Sequence, residues 1–128
     1  MSDDDRPPEA APGRLLARDY WLVRSTPQPG TREADIAAHA SDHVAWLLGL
    51  ERDDVVFMSG PLLSGPGTGP GSGVTVLRAG DEETARRIAA EDPFVRAGLR
   101  TFEVYRWRVN EGSVGVRVSL GTGGYEWR

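Results

Sequence analysis

The sequence predicts an α+β domain of order β-α-β-β-α-β, followed by one further strand. Three observations carry this prediction. Apolar residues recur at helical spacing through Ile36, Ala40, His43, Val44, Leu47 and Leu50. Short runs rich in β-branched and aromatic residues flank that segment, closed by Pro or Gly. Asp92-Pro93 then interrupts a second helical stretch, because a residue before proline is driven out of the helical region.

Residues 1–17 hold three prolines and four acids with few large apolar groups. Such a segment cannot offset the entropy of ordering, and it is expected to be a disordered tail that joins the fold at Leu15 or Leu16. The domain spans residues 18–109. Its first strand is Tyr20 to Thr26, ended by Pro27, and its first helix runs from Arg32 to Leu50, with Asp53-Asp54 as the turn. Val55 to Met58 is a continuously apolar strand ended by Gly60-Pro61. Val74 to Ala79 is the next strand, so the glycine- and proline-rich residues 64–73 form the long tip of a hairpin.

Asp81 is an N-cap for the second helix, with Glu82 and Glu83 in the first turn and Arg86 and Arg87 further along. Its apolar side is Ala85, Ile88 and Ala89. Pro93 suits the first position of a short third helix ending near Gly98. Thr101 to Val109 is the last strand of the domain. Residues 110–128 form an extension in which Val114, Val116, Val118 and Leu120 alternate strictly, so an extra half-buried strand is expected over 113–120. The order β-α-β-β-α-β is the split βαβ, ferredoxin-like arrangement. Its helices lie on one face of the sheet, and a second subunit is the natural cover for the other face; a homodimer is expected.

Composition narrows the function. The chain of 128 residues is one domain in size. It has no cysteine, so no thiol nucleophile or cysteine-ligated metal. All 15 basic residues are arginines, scattered along a chain of net charge −4, which argues against nucleic-acid binding. No apolar run approaches the ~20 residues of a membrane span. The acidic start, Met1-Ser2-Asp3-Asp4-Asp5, lacks a signal-peptide pattern. A soluble cytoplasmic protein is expected.

Two residues are candidates for chemistry. His43 falls near the middle of the helix's apolar arc. It reads either as a core histidine bonded to backbone or as a general acid or base, since imidazole titrates near neutrality. Asp92 shares a face with Ala85, Ile88 and Ala89. It reads either as the N-cap of the helix at 93–98 or as an inward carboxylate in need of partners; the roles are compatible. His39 and His43 are four apart, but two histidines alone are a weak metal signal and no metal is expected. Residues 65–73 lack the G-x-G-x-x-G spacing, and there is no lysine for a phosphate loop; a flexible hairpin, open to use as a lid, fits better. Ser59 and Ser72 lie in no nucleophile-elbow motif.

The order of motifs over about residues 20–109 resembles the YciI-related (YCII) family. It runs from the helix histidine, His43, with Leu47, through Val55 to Met58 and Gly60-Pro61. It continues to Asp92-Pro93-Phe94 with Ala97-Gly98, and ends in a strand closing on Trp107-Arg108. The departures are Ala40 where members often carry a basic residue, Asp54 where a turn glycine is expected, and the extension 110–128. The resemblance implies a dimeric α+β barrel and a His43–Asp92 pair. It implies a cofactor-independent lyase or isomerase acting on a small cyclic or aromatic molecule. One such enzyme eliminates chloride from a hydroxylated aromatic, and related barrels isomerise lactones. His43 would take the proton and Asp92 would orient it, with Trp46, Phe57, Met58 and Phe94 as apolar walls. The rival readings are a non-catalytic dimeric ligand-binding or partner module and a cofactor-free oxygenase.

Overall fold

The computed structural model describes residues 15–128. The expectation of disorder for the first 14 residues lies outside this range. The chain divides into two compact units. The larger is 19–108; the smaller gathers the described residues on either side of it.

The larger unit contains a four-stranded sheet of order β2-β3-β1-β4, built from β1 (Arg18–Pro27), β2 (Val56–Pro61), β3 (Gly73–Leu77) and β4 (Arg100–Val109). Both β1 and β2 pair antiparallel with β3, which places Val23 and Ser59 opposite Thr75. With the helices this is the expected α+β order. Asp19 ties β4 to β1: it receives Nε of Arg106 at 3.0 Å and Nε of Arg108 at 2.7 Å.

Helix α1 (Glu33–Arg52) starts where Asp35 reaches back to the Arg32 amide at 2.9 Å. It carries acids in its first turn and Arg52 in its last, as the helix dipole favours. The chain leaves it through Asp54, whose φ of 61° is left-handed. This explains the glycine expected there: Asp54 occupies a conformation that glycine adopts without strain, and its carboxylate accepts from Arg78 Nη1 at 3.2 Å.

Helix α2 (Glu82–Ala90) is capped by Asp81, which accepts from the Thr84 amide at 2.7 Å. It buries Ala85 and Ala89 against Val23, Leu77 and Val104, with Ile88, Trp21 and Phe102 packed around them. Strand alternation therefore sends Trp21, Val23, Ser25, Thr75 and Leu77 to the helix-covered face. Tyr20, Leu22, Val74, Val76 and Tyr105 face the other side, which carries no helix.

In the smaller unit, β5 (Val116–Val118) pairs antiparallel with β6 (Tyr125–Trp127). The structure differs here from the expected strand over 113–120. The strand is three residues long, its partner is a segment the alternation does not reveal, and Val114, Val116, Val118 and Leu120 are exposed rather than half-buried. The alternation is nonetheless used: Val116 stands opposite Trp127 and Val118 opposite Tyr125, while Arg117 and Glu126 occupy the reverse side. No described helix is long and apolar enough to cross a membrane.

Candidate active site

Asp92 sits where α2 must stop. Pro93 holds it in an extended conformation, with φ −55° and ψ 126°, and it caps α3 (Pro93–Arg96) through a 3.0 Å bond from the Phe94 amide to Oδ1. The same oxygen faces His43 Nδ1 at 2.8 Å. Oδ2 receives Nε of Arg100 at 2.9 Å and lies 2.6 Å from its Nη2. Capping and pairing thus coexist on one carboxylate that is 2% exposed.

Burial alone would raise the Asp92 pKa. The His43 hydrogen bond, the charge of Arg100 and the Phe94 amide outweigh it, and the carboxyl is held below the usual carboxylate range. An ionised Asp92 accepts from Nδ1–H, so the imidazole tautomer leaves its lone pair on Nε2. The ring lies stacked on Phe94, with centroids 4.2 Å apart, and Arg100 covers the Phe94 ring at 5.0 Å. The Asp92 contact and the Phe94 stacking thus fix the ring, and Nε2 is the nitrogen that Asp92 does not engage.

His43, Phe94 and Arg100 border a cleft of about 360 Å³. Ile36, Val44 and Leu47 of α1 form its apolar side, and residues 59–61 and 71–75 form the side given by β2, β3 and their connection. This volume falls at the lower end of the range for small-molecule sites. The glycines of the hairpin keep the floor thin. A Cβ at Gly73 would stand 3.2 Å from the Gly60 carbonyl and 3.5 Å from Arg100 Nη1. The Ser59 and Thr75 hydroxyls bond each other at 2.9 Å across the same floor.

Of the expected wall residues, Phe94 lines the cleft and three do not. Trp46 borders a small interior cavity instead, its ring 5.8 Å from that of His43. Phe57 and Met58 line a separate groove at the β2 edge. The reason is a β-bulge: the register shifts between Val56 and Met58. Val56 pairs with Leu77 and Met58 with Val76, so the extra residue sends Phe57 to the helix-free side as well. There it stacks on Tyr20 at 4.7 Å. A regular strand would have kept the two side chains on opposite faces.

His39 does not join His43, because its Nδ1 turns back to the Asp35 carbonyl at 3.2 Å. Among the described residues, no three histidine, aspartate or glutamate side chains converge. The residue that sequence reasoning misses is Arg100. It is 7% exposed and also donates from Nη1 to the Gly71 carbonyl at 3.1 Å. The available signal is Asp92 itself, since an inward carboxylate demands a cation, and Arg100 opens the next strand.

No curated protein matches the chain. Among solved structures, the fold is similar to that of 5-chloro-2-hydroxyhydroquinone dehydrochlorinase (TftG) from Burkholderia phenoliruptrix AC1100, in complex with 2,5-dihydroxybenzoquinone. The TM-score is 0.58 at 25% identity, over 69% of this chain and 92% of that one. The model of the YCII-related domain matches residues 20–108, from β1 to β4, and leaves β5 and β6 outside. With most of its length matched in this way, the chain belongs to the family of YCII-related domain proteins.

Proposed function

We propose that the chain is a small lyase or isomerase in which His43 removes a proton from a hydroxylated ring or from a carbon beside a carbonyl. The observation that carries this reading is the 2.8 Å contact between His43 Nδ1 and Asp92 Oδ1, with His43 at the wall of a ligand-sized cleft. The likeness to a dehydrochlorinase supports the reaction class. Nε2 accepts the proton, and Asp92 holds the ring and stabilises the imidazolium. The electron pair left behind moves through the ring. In an elimination from a hydroxylated ring the pair first takes a proton at the carbon that bears the leaving group, giving the keto tautomer. Loss of a second hydroxyl proton then expels the leaving group as its anion. In an isomerisation the pair is reprotonated elsewhere by the same imidazolium. Both balances are redox-neutral, so the reaction consumes neither oxidant nor reductant.

The active species in this reading is a homodimer formed through the helix-free face. Met58, Tyr105 and Trp107 support it, being large apolar residues of the sheet unit left exposed in the single chain.

The test uses 5-chloro-2-hydroxyhydroquinone without oxygen, reading chloride release, together with titration of 2,5-dihydroxybenzoquinone. Chloride should be released, and His43→Ala should lower kcat by roughly 10²–10⁴-fold, the span of a lost general base. Absence of chloride release, together with quinone binding that is absent or indifferent to His43→Ala, would overturn the reading.

A further inference from the structure

Asp92 and Arg100 also border a second, much smaller cavity, of about 10 Å³. Ser25, Trp46 and Thr75 contribute its other polar groups; all of these except Trp46 are buried residues. The Trp46 indole nitrogen is itself buried, and it has no hydrogen-bond partner among the described residues. Native proteins satisfy such a donor, because leaving it unpaired costs its full desolvation. One water needs roughly 10–15 Å³ for its centre and 2–4 polar partners. The cavity offers both.

Asp92 is not the natural acceptor for that water. Its two oxygens already face four donors, on His43, Phe94 and Arg100, which fills a carboxylate's lone-pair sites. The hydroxyls of Ser25 on β1 and Thr75 on β3 remain; the Thr75 oxygen, paired with Ser59 at 2.9 Å, keeps a further acceptor site. Trp46 follows His43 by three residues, hence on the same side of α1. A water between the indole and those hydroxyls would tie the turn that carries His43 to the two central strands of the sheet.

We propose that this cavity holds one ordered water, which accepts from Trp46 Nε1 and donates to the Ser25 and Thr75 hydroxyls, and that Trp46 is thereby a positioning residue for the His43–Asp92 pair. The water site stands on geometry alone; the kinetic consequence rests on the reading of the preceding subsection.

A high-resolution crystal structure of the full chain should show a single water within hydrogen-bond distance of Trp46 Nε1 and of at least one of the two hydroxyls. Trp46→Phe keeps a ring and deletes the donor. It should lose the water and move the downfield NMR resonance of the His43 Nδ1 proton. It should also lower kcat for chloride release about 3- to 10-fold at unchanged KM, the order of one net hydrogen bond. If that variant fails to fold, the pair Ser25→Ala and Thr75→Val removes the acceptors instead, with the same three readouts. An empty cavity, or an indole donating directly to protein, overturns the site. A lost water with an unmoved His43 resonance overturns the positioning role. The water and the resonance are read without turnover, so an inactive wild-type protein would sink the enzyme reading while leaving this one to be decided.

Discussion

Asp92 receives donors from a helix start, a histidine and an arginine, and this decides what substitutions there do. Asparagine would keep the α3 cap, since it caps as well as aspartate. It would also leave the Arg100 guanidinium buried without its counter-charge, so Asp92→Asn is not a neutral probe of catalysis. Breaking a buried pair by removing one partner typically costs about 3–5 kcal/mol. Arg100→Met should therefore destabilise by that order in urea unfolding. The double variant Asp92→Asn with Arg100→Met should lose clearly less than the two single losses added, because each single variant strands a partner. Equal, additive losses would show that the pair does not couple. Asp92 also predicts a pH dependence. Its carboxyl is held lower in the folded chain than in the unfolded one. As pH falls, the unfolded state takes up the proton first. The stabilisation is complete above the unfolded pKa of ~3.9 and is lost as pH falls through the lower folded value. Urea midpoints of the wild type should accordingly drop below about pH 4 more steeply than those of Asp92→Asn.

Among the elements, the turns separate conformational strain from crowding. Gly98, after α3, has φ of +73° with open space where a Cβ would go. Gly71 has φ of +95°, and a Cβ there would stand 2.9 Å from Ile36 Cδ1. Gly98→Ala should cost about 1–2 kcal/mol, the left-handed strain of a residue with a Cβ. Gly71→Ala should cost at least as much, because it carries the same left-handed strain and must also displace the end of the Ile36 side chain. Thermal denaturation of the two variants checks the ranking, and a smaller loss at Gly71 would contradict it. The elements also show what the sequence made legible. Periodicity reveals α1 and α2 because each turns one side to the fold: Ile36, His43, Leu47 and Leu50 of α1 are half-buried, and Ala85 and Ala89 of α2 are buried. The Asp92-Pro93 break is visible because proline acts on its neighbour locally. The β2 bulge is not visible: Val55 to Met58 is apolar throughout, so nothing in the pattern marks an extra residue, and the positions of Phe57 and Met58 cannot follow from it. β6 is hidden for another reason. Tyr125-Glu126-Trp127 is too short to show a period, and only its pairing with β5 makes it a strand. Arg100 stays hidden because an arginine at a strand start looks like any solvated edge residue until the fold brings it to Asp92.

At the scale of the molecule, one layer of helices leaves half of the sheet to find its own cover. Tyr20 and Val76 are buried there, while Met58, Tyr105 and Trp107 remain exposed. The reading of a homodimer predicts a single dimeric species in sedimentation at micromolar concentration. It also predicts that Tyr105→Asp with Trp107→Asp shifts the chain toward monomer while the antiparallel sheet signal in circular dichroism survives. A monomeric wild type would remove the dimer from the proposal without touching the His43–Asp92 geometry, which lies entirely within one chain.

The guanidinium of Arg100 works as a yoke. With one edge it grips the Asp92 carboxylate, and with Nη1 it holds the Gly71 carbonyl at the rim of the cleft. The group is planar and stiff, so the two ends cannot be adjusted separately. A ligand that displaced the Gly71 carbonyl would bear on the Asp92 carboxylate, to which the imidazole is bonded. On the proposal that His43 is the base, entry and chemistry would share this one group: a molecule that unsettles the Gly71 carbonyl would also unsettle the base.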